Sequence, residues 1–239
     1  MTVVATPPRS RPAQPPARGD AEGLLAIAGL TRMSSCDWPG RLVATVFLQG
    51  CPWRCTYCHN PELLDPSAPG QVSWGLVRDL LLRRGGLLDG VVFSGGEPTL
   101  QVGLGSAIRE VLDLGFRVGL HTAGAYPRRL AEVLPLVDWV GLDIKALPEE
   151  YREVTGAGGA DRAYRSLRLV LDSGVDHEVW ITVDPRVHTD RGVRELVERL
   201  REAGVRRIVL QEARLSVLSR QPLPVLVDPP DGLVVRRSG

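Results

Sequence analysis

Residues 49–61 read QGCPWRCTYCHNP and hold three of the four cysteines in this chain of 239 residues. Cys51, Cys55 and Cys58 are separated first by three residues and then by two. Three thiolates folded onto one short loop make a soft ligand set, suited to zinc, copper(I) or an iron–sulfur cluster. Structural zinc closes with four protein ligands, and His59 or Cys36 could complete such a set. A 4Fe–4S cube has four irons, each needing a ligand, so three cysteines leave one iron open to another molecule. Cys36 lies in SSCDWPG, which reads as a strand end and turn, and a lone cysteine is most often a small buried apolar group.

Further polar clusters follow in order. Ser94-Gly95-Gly96-Glu97-Pro98 is a glycine turn, which lets backbone carbonyls approach a cation closely. His121-Thr122-Ala123-Gly124 and Asp143-Ile144-Lys145 each end an apolar run. Of 29 lysines plus arginines the only lysine is Lys145, and the only asparagine is Asn60. Coding bias toward arginine accounts for the scarcity. A lysine kept against that bias marks a place where a planar guanidinium cannot replace a compact ammonium.

The CxxxCxxC loop, with Tyr57 just before its last cysteine, resembles the signature of the radical S-adenosylmethionine (radical SAM) superfamily. With His59, Asn60 and Pro61 following, it is similar to the glycyl-radical-enzyme activating enzymes, and most of all to activators of anaerobic ribonucleoside-triphosphate reductase. The resemblance runs over residues 30–212. It implies that Cys51, Cys55 and Cys58 each hold one iron of a 4Fe–4S cluster and that the open iron chelates S-adenosylmethionine. It further implies that Gly95, Gly96 and Glu97 hold the cofactor's amino group and that Thr122 and Gly124 line its pocket. Asp143 and Lys145 would meet its ribose and carboxylate, while Tyr57, His59 and Asn60 would shape the site beside the cluster. The fifth apolar run, in HEVWITVDP, departs from the pattern: related activators often carry an arginine there, and this chain has Trp180, with Arg186, Thr182 and His188 nearby.

Six apolar runs, within residues 41–48, 90–93, 116–120, 137–142, 178–183 and 207–210, read as strands. Helical stripes alternate with them, over residues 72–84 with Ser73 as cap, around Leu104, Ile108 and Val111, over 127–133, around Tyr164, Leu167 and Val170, and around Val193, Leu196 and Leu200 with Asp190 as cap. Such alternation predicts an α/β fold with a parallel sheet and right-handed crossovers. It agrees with the partial (β/α)6 TIM-like barrel that the resemblance implies. Every polar cluster then falls at the C-terminal end of a strand, the edge where such sheets carry their sites, so distant clusters should meet at one mouth.

Residues 1–20 carry Pro7, Pro8, Pro12, Pro15 and Pro16 among arginines and read as a disordered tail, residues 21–215 as the core domain, and 216–239 as an extended C-terminal addition. A net charge of +1 announces no basic face for nucleic acid, and no apolar run reaches membrane-spanning length. Clustered free thiols indicate a reducing, cytoplasmic setting. The resemblance also implies partners: a glycyl radical enzyme as substrate and a flavodoxin- or ferredoxin-type electron donor. No room follows Pro61 for a ferredoxin-like insert, which excludes the longer activators. A small-molecule radical SAM enzyme, similar to 7-carboxy-7-deazaguanine synthase, is the alternative.

Overall fold

The computed structural model describes residues 23–213 and 233–236. The Pro/Arg-rich segment 1–20 and most of 216–239 lie outside the described residues. Eight strands form one sheet in sequential order: β1 (Ile27–Ser34), β2 (Val43–Leu48), β3 (Gly90–Gly95), β4 (Arg117–Thr122), β5 (Trp139–Asp143), β6 (Asp176–Val183), β7 (Ile208–Glu212) and β8 (Leu233–Arg236). β1 runs antiparallel to β2, and every later pairing is parallel. β1 and β8 end the order, and among the described residues no pairing joins them, so the sheet stays open, as in a partial barrel.

The six expected strands are β2 to β7. Helices α1 (Trp74–Arg83), α2 (Leu104–Asp113), α3 (Pro127–Val133), α5 (Ala160–Ser173) and α6 (Asp190–Glu202) occupy the expected crossovers, with a short α4 (Tyr151–Thr155) after β5. Ser73 caps α1, its hydroxyl accepting from the Leu76 amide. The cap of α6 is Thr189 rather than Asp190: the threonine hydroxyl accepts from the Gly192 amide, and Asp190 becomes the first helical residue. An acid there still faces the positive end of the helix dipole.

Strand side chains alternate between two faces. Ala44, Val46, Leu48, Val91, Phe93, Val118, Leu120, Val140, Leu142, Val179 and Ile181 point toward the helices and join the main core. Val43, Val92 and Trp139 point to the other face and pack with Trp38 and Trp180 in a second, smaller core. The Trp38 and Trp139 rings stack at 5.7 Å, and the Trp180 ring lies 6.0 Å from Trp139. Two glycines make room for the indoles: a Cβ on Gly119 would come within 2.9 Å of Trp38, and one on Gly141 within 2.9 Å of Trp139. Aromatic packing therefore fills the barrel interior below its C-terminal edge.

Candidate active site

Each sequence-predicted cluster lies at the C-terminal end of a parallel strand: the cysteine loop after β2, Gly95-Gly96-Glu97 after β3, Thr122 and Gly124 after β4, Asp143 and Lys145 after β5. The loop is pinned by protein alone. The buried Gln49 side chain donates to the carbonyls of Glu62 (2.9 Å) and Asp65 (3.0 Å), closing its base. The amides of Arg54 and Thr56 donate to the carbonyls of Thr155 and Val154 at the end of α4. A tight turn joins the last two cysteines, the Cys58 amide donating to the Cys55 carbonyl at 3.1 Å. All three cysteines are partly buried.

The glycine turn locks against the same loop. The Glu97 amide donates to the Gly50 carbonyl at 2.8 Å, and a Cβ on Gly96 would stand 2.3 Å from that oxygen. Gly95 has φ +111°, and a Cβ there would meet the Leu48 backbone at 2.3 Å. Only glycine fits either position. The Glu97 carboxylate, fully buried, accepts from the Thr99 amide and hydroxyl, the Thr122 hydroxyl (2.7 Å) and the Ala123 amide (3.0 Å). It thus braces the ends of β3 and β4. Gly124, at φ +72°, lies against Ser166, whose hydroxyl donates to the Gly124 carbonyl at 2.8 Å.

Lys145 reaches the cysteine loop from the β5 side. Its ammonium pairs with Asp143 at 2.7 Å and lies 5.4 Å from the Tyr57 ring centroid. Burial alone would lower its pKa, but the Asp143 carboxylate, with Tyr57 and Cys55, outweighs burial and holds it well above the usual lysine range. Burial pushes the Cys51 thiol up to about 12 and raises Cys55 as well. Without a metal these thiols stay protonated; a bound cation would take them as thiolates. Among the described residues the buried Tyr57 hydroxyl and Asp143 Oδ1 have no hydrogen-bond partner.

His59 and Asn60 are exposed. Asn60 precedes a one-turn helix and lines a cavity of about 440 Å³ with Gly29, Phe47, Gln49 and Leu63. His121 turns into the barrel: its Nε2 lies 2.7 Å from the Asp37 carbonyl, its Nδ1 3.3 Å from the Ser94 hydroxyl, and its ring 4.5 Å from that of Trp180. Arg186 is committed to the cysteine loop, binding the Thr56 carbonyl at 2.8 Å and the Asp184 carboxylate. His188 is buried, with Nε2 2.8 Å from the Lys145 carbonyl. Sequence reasoning passed over Thr56, Asp184, Tyr151 and Ser166. Thr56, Asp184 and Ser166 act through contacts between segments distant in sequence, for which one chain carries no local signal, and the Tyr151 hydroxyl accepts from the Lys145 amide at 3.2 Å.

A model of the Radical SAM superfamily matches residues 45–186, more than half of the chain. The chain therefore belongs to the radical SAM superfamily, whose members use a 4Fe–4S cluster and S-adenosylmethionine. It is 26% identical over 187 residues to a Methanocaldococcus jannaschii protein itself only inferred to be a glycyl-radical enzyme activating enzyme, covering 75% of this chain and 77% of that one. It is 34% identical over 165 residues to the pyruvate formate-lyase-activating enzyme of Clostridium pasteurianum, 65% of this chain and 66% of that one. The 7-carboxy-7-deazaguanine synthase of Thermococcus kodakarensis is 30% identical over 157 residues, 56% and 61% of the two chains. Among solved structures, Streptococcus suis SuiB bound to S-adenosylmethionine superposes with a TM-score of 0.59 at 15% identity, over 80% of this chain and 48% of that one, a likeness of fold.

The donor set fits a cluster: Cys51, Cys55 and Cys58 place three soft, partly buried sulfurs on one loop after β2, the number that a cube with one open iron needs. Among the described residues no helix is long and apolar enough to cross a membrane.

Proposed function

We propose that this chain is a glycyl-radical-enzyme activating enzyme, with Cys51, Cys55 and Cys58 holding a 4Fe–4S cluster. When bound and reduced, the cluster and S-adenosylmethionine supply a carbon-centred radical able to take a hydrogen atom from a glycine Cα. The chain's own residues bind and orient. Lys145 would offer a fixed positive charge to the cofactor's carboxylate, and the partly exposed Asp143 side chain an acceptor to a ribose hydroxyl. Backbone carbonyls at Gly95 and Gly96 would hold the cofactor's amino group. Glu97 acts from below, holding the ends of β3 and β4 at the right height. Tyr57, His59 and Asn60 shape the side nearest the cluster, and Thr122 and Gly124 the side nearest β4.

The observation that carries this reading is the filled interior. Trp38, Trp139, Trp180 and His121 occupy the inner face up to the level of Asp143. A substrate is then presented at the mouth from outside, as a glycine loop of another protein would be, instead of being enclosed in the barrel. The likeness to activating enzymes over three quarters of the chain supports the same choice. We take the partner to be anaerobic ribonucleoside-triphosphate reductase, the electron donor to be a flavodoxin or ferredoxin, and the compartment to be the reducing cytoplasm.

The test uses the anaerobically reconstituted chain with S-adenosylmethionine, dithionite and the reductase, with a pyruvate formate-lyase-type partner in parallel. A glycyl radical seen by EPR on the reductase is expected. A radical on the second partner alone would replace the reductase. The small-molecule reading, for which the Thermococcus kodakarensis relative speaks, predicts a purine-like product and no protein radical.

A further inference from the structure

The turn between Cys55 and Cys58 is gripped by the loop that follows β6. Thr56 is the first residue inside that turn, and its hydroxyl donates to Asp184 Oδ2 at 2.7 Å. Its carbonyl accepts from the Arg186 guanidinium at 2.8 Å, and its amide donates to Val154 at 3.0 Å. Every polar group of Thr56 is therefore held. The Asp184 side chain is fully buried. Its Oδ1 accepts from the Arg186 amide (3.0 Å) and Nε (2.9 Å), and its Oδ2 also accepts from Arg186 at 2.7 Å. Four residues on, His188 Nδ1 accepts from the Asp184 amide at 3.0 Å, which leaves Nε2 to donate to the Lys145 carbonyl at 2.8 Å. The His188 ring also lies 6.4 Å from that of Tyr57. One loop thus ties the cysteine turn to the end of β5.

Buried charge held in this way is costly unless all its bonds are made, so a carboxylate here marks a geometry worth fixing. Outer groups that orient the first ligands govern how firmly a metal group is held.

We propose that Asp184, acting with Arg186 through Thr56, is a positioning residue that sets the separation of the Cys55 and Cys58 sulfurs for the cluster. The proposal rests on the reading of those cysteines as cluster ligands. Thr56→Val keeps the side-chain shape and removes the hydroxyl, Thr56→Ser restores it, and Asp184→Asn removes the charge.

The experiment reconstitutes each protein anaerobically and follows iron release to a chelator, the EPR spectrum of the reduced cluster, and Tm. Thr56→Val and Asp184→Asn should lose iron about tenfold faster, the lower end of such outer-partner effects, with shifted g-values. Thr56→Ser should release iron at the wild-type rate. Val193→Ala, a core change in α6, serves as a control that lowers Tm without removing any hydrogen bond of Thr56 or Asp184, and its iron release should stay at the wild-type rate. Wild-type release rates and spectra in both Thr56→Val and Asp184→Asn would overturn the clamp and leave the cluster standing. Faster release in Val193→Ala to the same degree would reduce the effect to general destabilisation and overturn it too. A wild-type protein that takes up no 4Fe–4S cluster would sink the reading of the cysteines, and the clamp with it.

Discussion

Lys145 is the residue whose environment is most demanding. It is 7% exposed and paired with a carboxylate that keeps a quarter of its own surface in water. Replacing it with methionine preserves most of the packing but leaves Asp143 charged, with one oxygen already buried and unpartnered. Breaking a wholly buried pair costs about 3–5 kcal/mol; with Asp143 partly wet, Lys145→Met should cost about 2 kcal/mol by urea unfolding. Lys145→Arg should keep the charge and cost less stability yet weaken S-adenosylmethionine binding by about tenfold in equilibrium dialysis, because a planar guanidinium does not present its charge where the compact ammonium does. The sequence pointed to this residue through composition, since one lysine survives among 29 cations. It could not point to Thr56 or Asp184 in the same way. A threonine inside a cysteine motif and an aspartate before a proline look ordinary until residues 128 positions apart are seen to touch.

At the scale of elements, β2 to β7 were legible because buried parallel strands read as unbroken apolar runs. β1 was not: only its first residue is buried, its register with β2 shifts twice, and IAGLTRMS shows no clean alternation. The short α4 was also missed, its one-turn length giving no helical stripe. The interior face was not legible, because Trp38, Trp139 and Trp180 come from three separate segments with no local signal that joins them. Gly141 now has a reason, since an added methyl would meet Trp139, His121 and Trp180 at 2.9, 3.1 and 3.2 Å. Gly141→Ala should therefore destabilise by about 1–3 kcal/mol by overpacking, read as a shift in urea midpoint without a change in slope.

Glu110 joins α2 to α1, accepting from the Trp74 indole at 2.7 Å and from Arg78. Burial alone would raise its carboxyl, but the bonds from Arg78 and Trp74 outweigh burial and hold it below its ordinary 4.5. The folded protein then binds this proton less readily than the unfolded chain. The stabilisation is complete above pH 4.5 and is lost as pH falls through the depressed value. Glu110→Gln should lower stability at neutral pH and make its decline on acidification shallower, measured by urea unfolding across that range.

For the molecule as a whole, the question is whether the cluster builds the fold or occupies a fold already built. Trp53 and Tyr57, from within the cysteine loop, belong to the same core as the helices and strands. The loop is further tied by Gln49, by α4 and by the β6 clamp, none of which needs metal. A zinc finger has no such support and unfolds when stripped. Here removal of iron should leave the far-UV and near-UV circular dichroism nearly unchanged and lower Tm only by the lost binding free energy. The same architecture separates the two kinds of cysteine. Cys36 is exposed in the connection between β1 and β2, while the motif cysteines are partly buried in the loop after β2. Cys36→Ala should keep its full iron and sulfide content after anaerobic reconstitution, and Cys55→Ala should lose the cluster while keeping its circular dichroism. Equal iron loss in both variants would mean a fourth thiolate closing the cube, and a collapse of the tryptophan near-UV signal on chelation would mean that the metal, not the sheet, holds the mouth together.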